Sequence, residues 1–385
     1  MDFIFYQFSQ LTFCLTVAAG SALLLQMLYY FLVYGSVAHY KRYEQKRTKE
    51  HSSRNLPSVS IVIVTKDEQE NLKQRLPIIL EQQYPNFEVV VVNNASSDET
   101  EFMLKVLEKI YAHLKVVNLY TETPNKFQGK KYPLSLGIKS AKNDYILLTN
   151  ANCVPNSYFW VLNMVKGLAP KKNIVLGCNL YERKKTLLNI FIQYDSLNQA
   201  INYEGMALLG NPYKATGDNL IISRKGFFDS GGFISLYNIS SGDMELFVNH
   251  VAKRKNTSVV LNEEAYVKTE APSSFSAWCN QKRRRLRTAH YYKFWDKFIV
   301  ATPVWTTLLF YASLVVLFLL NFPWQWIVAG LIVKILVQIL LFYKGSSVLM
   351  KNKLCIFAPL FEIFFLVFNT IIGINTLFSK KERWD

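Results

Sequence analysis

Val59-Ser60-Ile61-Val62-Ile63-Val64, a helically spaced run from Asn71 to Gln83, then Phe87-Glu88-Val89-Val90-Val91-Val92 entering Asn93-Asn94-Ala95-Ser96-Ser97-Asp98: this stretch decides the fold. A β-branched run, an amphipathic run and a second apolar run of strand length predict strand, helix, strand. Two strands joined across a helix pair in parallel by a right-handed crossover. The same grammar repeats downstream. Glu101 to Leu114 reads as a helix, Lys115 to Leu119 as a strand, Tyr132 to Ser140 as a helix, and Tyr145 to Thr149 as a strand ending at Asn150-Ala151-Asn152. The expected fold class is α/β with a mostly parallel sheet. In such sheets ligands bind beyond the carboxyl ends of the strands, where both Asn-rich turns stand. Asn is also common in turns for backbone reasons alone, because it tolerates left-handed geometry and caps helices.

Working outward, residues 11 to 34 are apolar except for small residues and Gln26, long enough to cross a hydrocarbon layer of roughly 30 Å. No Lys or Arg precedes this run and aromatics follow it, which favours a retained transmembrane helix over a cleaved leader. Lys41, Arg42, Lys46, Arg47, Lys49 and Arg54 come next, so the positive-inside rule puts that side in the cytoplasm. Three further apolar stretches run from Ile299 to Phe322, Trp324 to Tyr343 and Cys355 to Phe378. Lys334 and Glu362 fall near the centres of two of them and read as a polar contact between helices. The basic loop with Lys344, Lys351 and Lys353 suits the cytoplasm, but the count then leaves Lys380, Lys381 and Arg383 outside. One segment is therefore expected to be re-entrant or interfacial, and the residues do not say which. The expected organisation is an N-terminal transmembrane helix (1–37), a basic linker (38–56), a cytoplasmic α/β domain (57–276), a basic aromatic interfacial helix (277–298), transmembrane helices (299–378) and a tail (379–385).

The chain has 385 residues, with 44 basic against 28 acidic side chains and a net charge of +16. Such an excess calls for an anionic partner. Much of it sits beside apolar spans: Lys282, Arg283, Arg284, Arg285 and Arg287 interleave with Trp278, Leu286, Tyr291, Tyr292, Phe294 and Trp295 just before one of them. That composition suits a helix lying on anionic headgroups, and no nucleic-acid module is visible. Five scattered cysteines without a CxxC pair support neither a disulfide framework nor a zinc site, and the five histidines lack i+3 or i+4 partners.

Taken in order, seven segments resemble the family 2 glycosyltransferases, membrane-anchored inverting enzymes with a GT-A nucleotide-sugar-binding fold. They are Val62-Ile63-Val64-Thr65-Lys66-Asp67-Glu68, Tyr84-Pro85-Asn86-Phe87-Glu88-Val89, Gly129-Lys130-Lys131, the turn after Leu148, Gly217-Asp218-Asn219 with Gly231-Gly232-Phe233, Ser241-Gly242-Asp243-Met244-Glu245-Leu246, and Gln281-Lys282-Arg283-Arg284. The resemblance covers roughly residues 56 to 300 and the pattern of flanking helices. It implies donor-binding roles for Thr65, Asp67, Glu68, Asn93, Asn94, Lys130, Lys131, Asn150 and Asn152. It implies acceptor or diphosphate contacts for Gly217, Asn219, Gln281, Arg284 and Arg285, with Asp243 as the general base that deprotonates an acceptor hydroxyl. From the residues alone, Asp243 reads equally as the N-cap of a helix from Met244 to Ala252.

Several positions depart from the family pattern. Asn93-Asn94 replace an acidic pair that helps to hold the donor base, though an amide still donates and accepts. Asn150-Ala151-Asn152 replace the Asp-x-Asp that holds a divalent ion, and Arg285 stands where a Trp is usual. Magnesium and manganese favour anionic oxygens, so usual metal binding at Asn150 and Asn152 is in question. Every departure makes the cleft more positive. Lys130, Lys131, Arg284 and Arg285 balancing a nucleotide-sugar diphosphate without a metal is one expectation. The resemblance thus implies a membrane enzyme moving a sugar from a nucleotide-sugar donor to a lipid-linked or polysaccharide acceptor in cell-envelope glycan synthesis, at a bacterial-type inner membrane. Four spans suggest single-sugar transfer rather than polymer extrusion. The alternative is a non-catalytic scaffold with protein partners in an envelope-assembly complex.

Overall fold

The computed structural model describes residues 2–49, 56–120, 129–350 and 354–378. Arg54, Lys351, Lys353, Lys380, Lys381 and Arg383, on which parts of the charge reading fall, lie outside the described residues. Helix α1 (Asp2–Tyr29) passes through a π-turn (Tyr30–Tyr34) into α2 (Gly35–Ala38), and α3 (Tyr40–Lys49) follows. The chain then alternates β1 (Val59–Thr65), α4 (Gln69–Leu80), β2 (Phe87–Asn94), α5 (Thr100–Ile110), β3 (Leu114–Leu119), α6 (Lys131–Ser140) and β4 (Tyr145–Asn150). Next come β5 (Cys153–Pro155), α7 (Trp160–Val165), β6 (Ile174–Gly177), β7 (Asn179–Tyr181), α8 (Leu187–Leu209), β8 (Leu220–Ser223) and α9 (Arg224–Asp229). The last elements are α10 (Asp243–Val251), β9 (Thr257–Val260), β10 (Val267–Thr269), α11 (Phe275–Ala289), α12 (Phe294–Leu319), α13 (Trp324–Leu349) and α14 (Ala358–Phe378).

Seven strands form one sheet in the order β3-β2-β1-β4-β8-β6-β9. β1 is central and parallel to both β2 and β4, a register that sets Thr65 beside Asn93 and Val64 beside Asn150. Every residue of β1 is buried, as a parallel strand covered on both faces requires, which explains its continuous apolar run. The sheet is mixed, because β8 runs antiparallel between β4 and β6. A second, three-stranded sheet has the order β5-β10-β7.

Helical spacing overran two boundaries. α4 stops at Leu80 rather than Gln83, and α5 stops at Ile110 rather than Leu114. At Leu114 the strand wins: its amide donates to Tyr111 O at 2.9 Å in a turn, and the residue then pairs with Val89 in the sheet. The stretch read as one basic aromatic helix over 277–298 is divided, with α11 ending at Ala289 and α12 opening at Phe294.

Among the described residues, four helices are long and apolar enough to cross a membrane: Gln10–Ala38, Phe294–Leu319, Trp324–Leu349 and Leu354–Thr376. The first packs along α12, whereas α14 packs on α11 and α13 and touches α8 through aromatic rings. Phe365 stacks on Tyr194 of α8 with ring centroids 5.6 Å apart, and Phe368 stacks on Trp278 of α11 at 4.9 Å. Lys334 of α13 forms the expected contact with Glu362 of α14, and Tyr30 (2.9 Å), Thr307 (3.2 Å) and Tyr311 (3.3 Å) also donate to that carboxylate. Such a cluster satisfies polar groups that hydrocarbon cannot. The first span meets the α/β region at Gly205, where a Cβ would lie 2.5 Å from Val33 O. Only a glycine lets the π-turn and α8 approach this closely.

Candidate active site

The turns after β1 and β2 are bound to each other. Asp67 (φ 53°) and Ala95 (φ 52°) both adopt left-handed backbone geometry, a strained choice for side chains of their kind. The Asp67 carboxylate accepts from the Ser97 amide at 2.6 Å and the Ser97 hydroxyl at 3.0 Å, and the Asp67 amide donates to Ser96 Oγ at 3.0 Å. The bond from the Ser97 amide is the main reason the Asp67 carboxyl is held below the usual carboxylate range. Glu68 accepts from Asn71 of α4. Asn93 is buried, donating to Asn118 Oδ1 at 3.0 Å and accepting from the Ser96 amide at 3.3 Å, so its side chain braces the turn. Thr65 Oγ1 and Asn94 Oδ1 are buried beside it without a partner among the described residues. Two orphaned polar atoms at adjacent strand ends are what a ligand-binding edge leaves behind.

A cavity of about 310 Å³ opens beside the ends of β1 and β4. Lys130, Asn150, Gly217, Asp243, Gln281, Arg284 and Arg285 all line it, with Asp218 and Glu245. Asn152 and Asn219 do not. Asn152 Oδ1 faces the Cys153 thiol, and Asn219 is a buried tie, donating to Cys178 O (3.0 Å) and Ala265 O (2.8 Å) and accepting from Trp160 Nε1 (3.0 Å).

Asp243 opens α10, but the residue at the cap is Gly242, so the N-cap reading of Asp243 gives way. Gly242 has φ 73°, and a Cβ there would stand 2.2 Å from Thr288 Cγ2, so no other residue fits. With the backbone fixed this way, the Asp243 side chain pairs with Lys131 at 2.8 Å. The Lys131 ammonium is fully buried and also donates to Ile239 O at 2.6 Å and Ser241 O at 3.3 Å. Lys131 therefore holds the carboxylate from behind, rather than facing the cavity as Lys130 does. Gln281 accepts from the Tyr181 hydroxyl at 3.0 Å, and Glu245 pairs with Lys214 at 3.6 Å.

The position expected to hold a divalent ion was tested on its donor set. Asp218 is the carboxylate beside Asn150, and both its oxygens accept from amides, one from Asn150 Nδ2 and one from Asn179 Nδ2 at 2.5 Å. Asn150 thus turns a donor, not an acceptor, towards that carboxylate, and Asn152 is out of the wall. This donor set does not fit a resident magnesium or manganese ion. Asp218, Asn179, Glu245 and Lys214 were not among the candidate residues. Asp218 stood inside the recognised Gly217-Asp218-Asn219 triplet, and its charge was the available signal.

The sequence model of the family described as Glycosyl transferase family 2 matches residues 60–230, and that of Glycosyl transferase family group 2 matches residues 154–370, more than half of the chain. The chain belongs to the family 2 glycosyltransferases. Among relatives of this glycosyltransferase, the probable glycosyltransferase YdaM of Bacillus subtilis is 29% identical over 185 residues, which is 46% of this chain and 43% of that protein. A poly-beta-1,6-N-acetyl-D-glucosamine synthase of Staphylococcus epidermidis is 24% identical over 175 residues, 43% of this chain and 41% of that one. The match spans about two fifths of the length of these relatives. The mannosyltransferase PcManGT of Pyrobaculum calidifontis, solved with GDP-Man and Mn2+, superposes with a TM-score of 0.58 at 16% identity, covering 97% of this chain and 100% of that one. The shared fold is GT-A.

Proposed function

We propose that this glycosyltransferase transfers a sugar, with inversion, from a nucleotide-sugar donor to a hydroxyl of a lipid-linked or glycan acceptor during envelope glycan synthesis. The observation that carries this reading is the Lys131–Asp243 pair at the edge of a cavity that Lys130, Arg284 and Arg285 also line. The Asp243 carboxylate takes the proton from the acceptor hydroxyl as its oxygen bonds to the anomeric carbon. The bond from that carbon to the diphosphate breaks on the opposite face, and its electron pair leaves with the phosphate. Lys130, Arg284 and Arg285, which line the same cavity, in this reading stabilise the charge that develops there. In this reading the diphosphate is balanced by side chains, in keeping with the poor fit of the Asn150–Asp218 pair to a metal. We assign the nucleoside end to the turns of Thr65, Asp67 and Asn94, where Thr65 Oγ1 and Asn94 Oδ1 are buried without a partner among the described residues.

The basic flank of the first span supports a cytoplasmic α/β domain in a bacterial-type inner membrane. The packing of α14 on α8 and α11 supports an interfacial position for that helix, which would relieve the charge conflict of a fourth crossing.

The test is donor turnover by purified full-length protein in detergent, read as nucleotide release across a panel of nucleotide sugars. Release that Asp243→Asn abolishes supports the enzyme. Nucleotide-sugar binding without release, unchanged by that substitution, supports the scaffold reading, which the amide-for-carboxylate positions Asn150 and Asn152 favour.

A further inference from the structure

The segment from Ile239 to Gly242 leads directly into Asp243 and is held from two sides. On the α6 side, the buried Lys131 ammonium donates to Ile239 O and Ser241 O and pairs with the Asp243 carboxylate. On the α11 side stands Thr288, buried at 2% exposure at the wall of the cavity that Ser241, Gly242, Asp243 and Arg284 also line. Both arms of the Thr288 side chain meet this segment.

The polar arm makes a directed chain. Thr288 Oγ1 donates to Arg284 O at 3.0 Å, one turn back on α11, a bond that threonine commonly makes within a helix. Its single proton is used there, so in the 2.9 Å contact between the two hydroxyls Ser241 donates and Thr288 accepts. That second bond leaves the helix. It ties the backbone of Arg284 to the residue two before Asp243. The apolar arm fills a slot, because Thr288 Cγ2 stands where a side chain at position 242 would begin, 2.2 Å from an ideal Cβ. Gly242, left-handed at φ 73°, leaves that slot open, so the methyl and the glycine fit together in one register.

Inversion places the base and the leaving diphosphate on opposite faces of one carbon, so the rate depends on how Asp243 is spaced from the cations opposite it. Donor affinity depends on that spacing far less. We propose that Thr288 is a positioning residue for Asp243: through Ser241 and Gly242 it sets the base against α11, the helix that carries Arg284, while Lys131 sets it against α6. This deepens the glycosyl-transfer reading and rests on it. Thr288 itself touches no reacting atom.

The experiment reads kcat and donor KM from nucleotide release by full-length protein in membrane vesicles, which retain the acceptor, with the nucleotide sugar that the donor panel shows to turn over. Thr288→Val keeps the shape and removes the hydroxyl; kcat is expected to fall about ten-fold or more while donor KM stays within about two-fold. Ser241→Ala breaks the same bond from the other end and is expected to lose as much, with Ser241→Ala/Thr288→Val no slower than either alone, since one bond cannot be lost twice. Thr288→Ser restores the hydroxyl and is expected to turn over several-fold faster than Thr288→Val. A wild-type rate in Thr288→Val and Ser241→Ala overturns the proposal. So does a fall in kcat matched by an equal rise in donor KM, a loss that multiplies in the double variant, or Thr288→Ser no faster than Thr288→Val. Should Thr288→Val fail to fold, Ser241→Ala, at a partly exposed position, decides by the same split of kcat against KM. No release by the wild type with any donor overturns the glycosyl-transfer reading and this one with it, whereas release that the variants leave unchanged overturns this one alone.

Discussion

Two buried lysine–aspartate pairs, built alike, do different things. Lys131–Asp243 and Lys282–Asp195 both close at 2.8 Å. Lys282 also donates to Asn369 of α14 at 2.8 Å and lies over the rings of Trp278, Phe365 and Phe368. Its aspartate is only 8% exposed, and the pair ties α8, α11 and α14 together. Lys131 is equally hidden, but Asp243 keeps 18% of its side chain open to the cavity. The contrast teaches that burial of the cation fixes a carboxylate, while exposure of the carboxylate decides whether it can meet a substrate.

Breaking each pair tests the contrast most sharply. Asp243→Asn is expected to lower kcat about 10²–10⁴-fold, with thermal unfolding changed little, because a base is lost and a near-isostere retained. Lys282→Met is expected to cost about 3–5 kcal/mol of stability, read by denaturant or thermal unfolding in detergent, since Asp195 stays buried without its cation. If Lys282→Met proves harmless to stability while Asp243→Asn unfolds the protein, the assignment of roles is reversed.

A third carboxylate has no cation and shows what burial does alone. Glu204 is fully buried on α8, and desolvation pushes its carboxyl up to about 8 from 4.5, with Tyr203 opposing slightly. The folded state thus holds its proton where the unfolded chain has released it. Stability from this group is complete below pH 4.5, falls as pH rises towards about 8, and is level above that. Glu204→Gln is expected to be more stable than wild type at pH 8.5 by a few kcal/mol, at about 1.4 kcal/mol per pK unit, with the difference vanishing near pH 4. Melting curves across that range measure it. The smallest effect belongs to the cleft: chelation should leave nucleotide-sugar binding within about two-fold, whereas loss on chelation and recovery with manganese would restore a metal to the Asn150–Asp218 side.

Much of the first half of the fold was legible because its signals are local. A β-branched run such as Val59 to Val64 and the turn at Asn93 to Asp98 report their conformation within a few residues. α8 was not legible. Its Tyr, Asn and Gln positions face a cavity and its apolar ones face the sheet and the membrane helices, so no single polar face marks it. The partner of Asp243 was equally hidden. Lys131 reads as a charge following a glycine, and only the sheet brings it to α10. Asn93 and Asn219, taken as ligand contacts, are engaged by Asn118 and Trp160, pairings fixed by strand register and by the packing of α7.

The close approach at Gly205 bears on where this molecule can be cut. One continuous core joins Val33, Tyr34 and Val37 of the first span to Val62 and Leu176 of the sheet and to Phe342 and Phe361 of the later helices. A boundary drawn between an anchor and a detachable catalytic head, natural from composition, runs through the middle of that core. Removing residues 1–38 would strip the cover that Val33, Tyr34 and Val37 give α8, so a soluble fragment starting at the α/β part is expected to aggregate or lose stability, read by size exclusion and thermal unfolding.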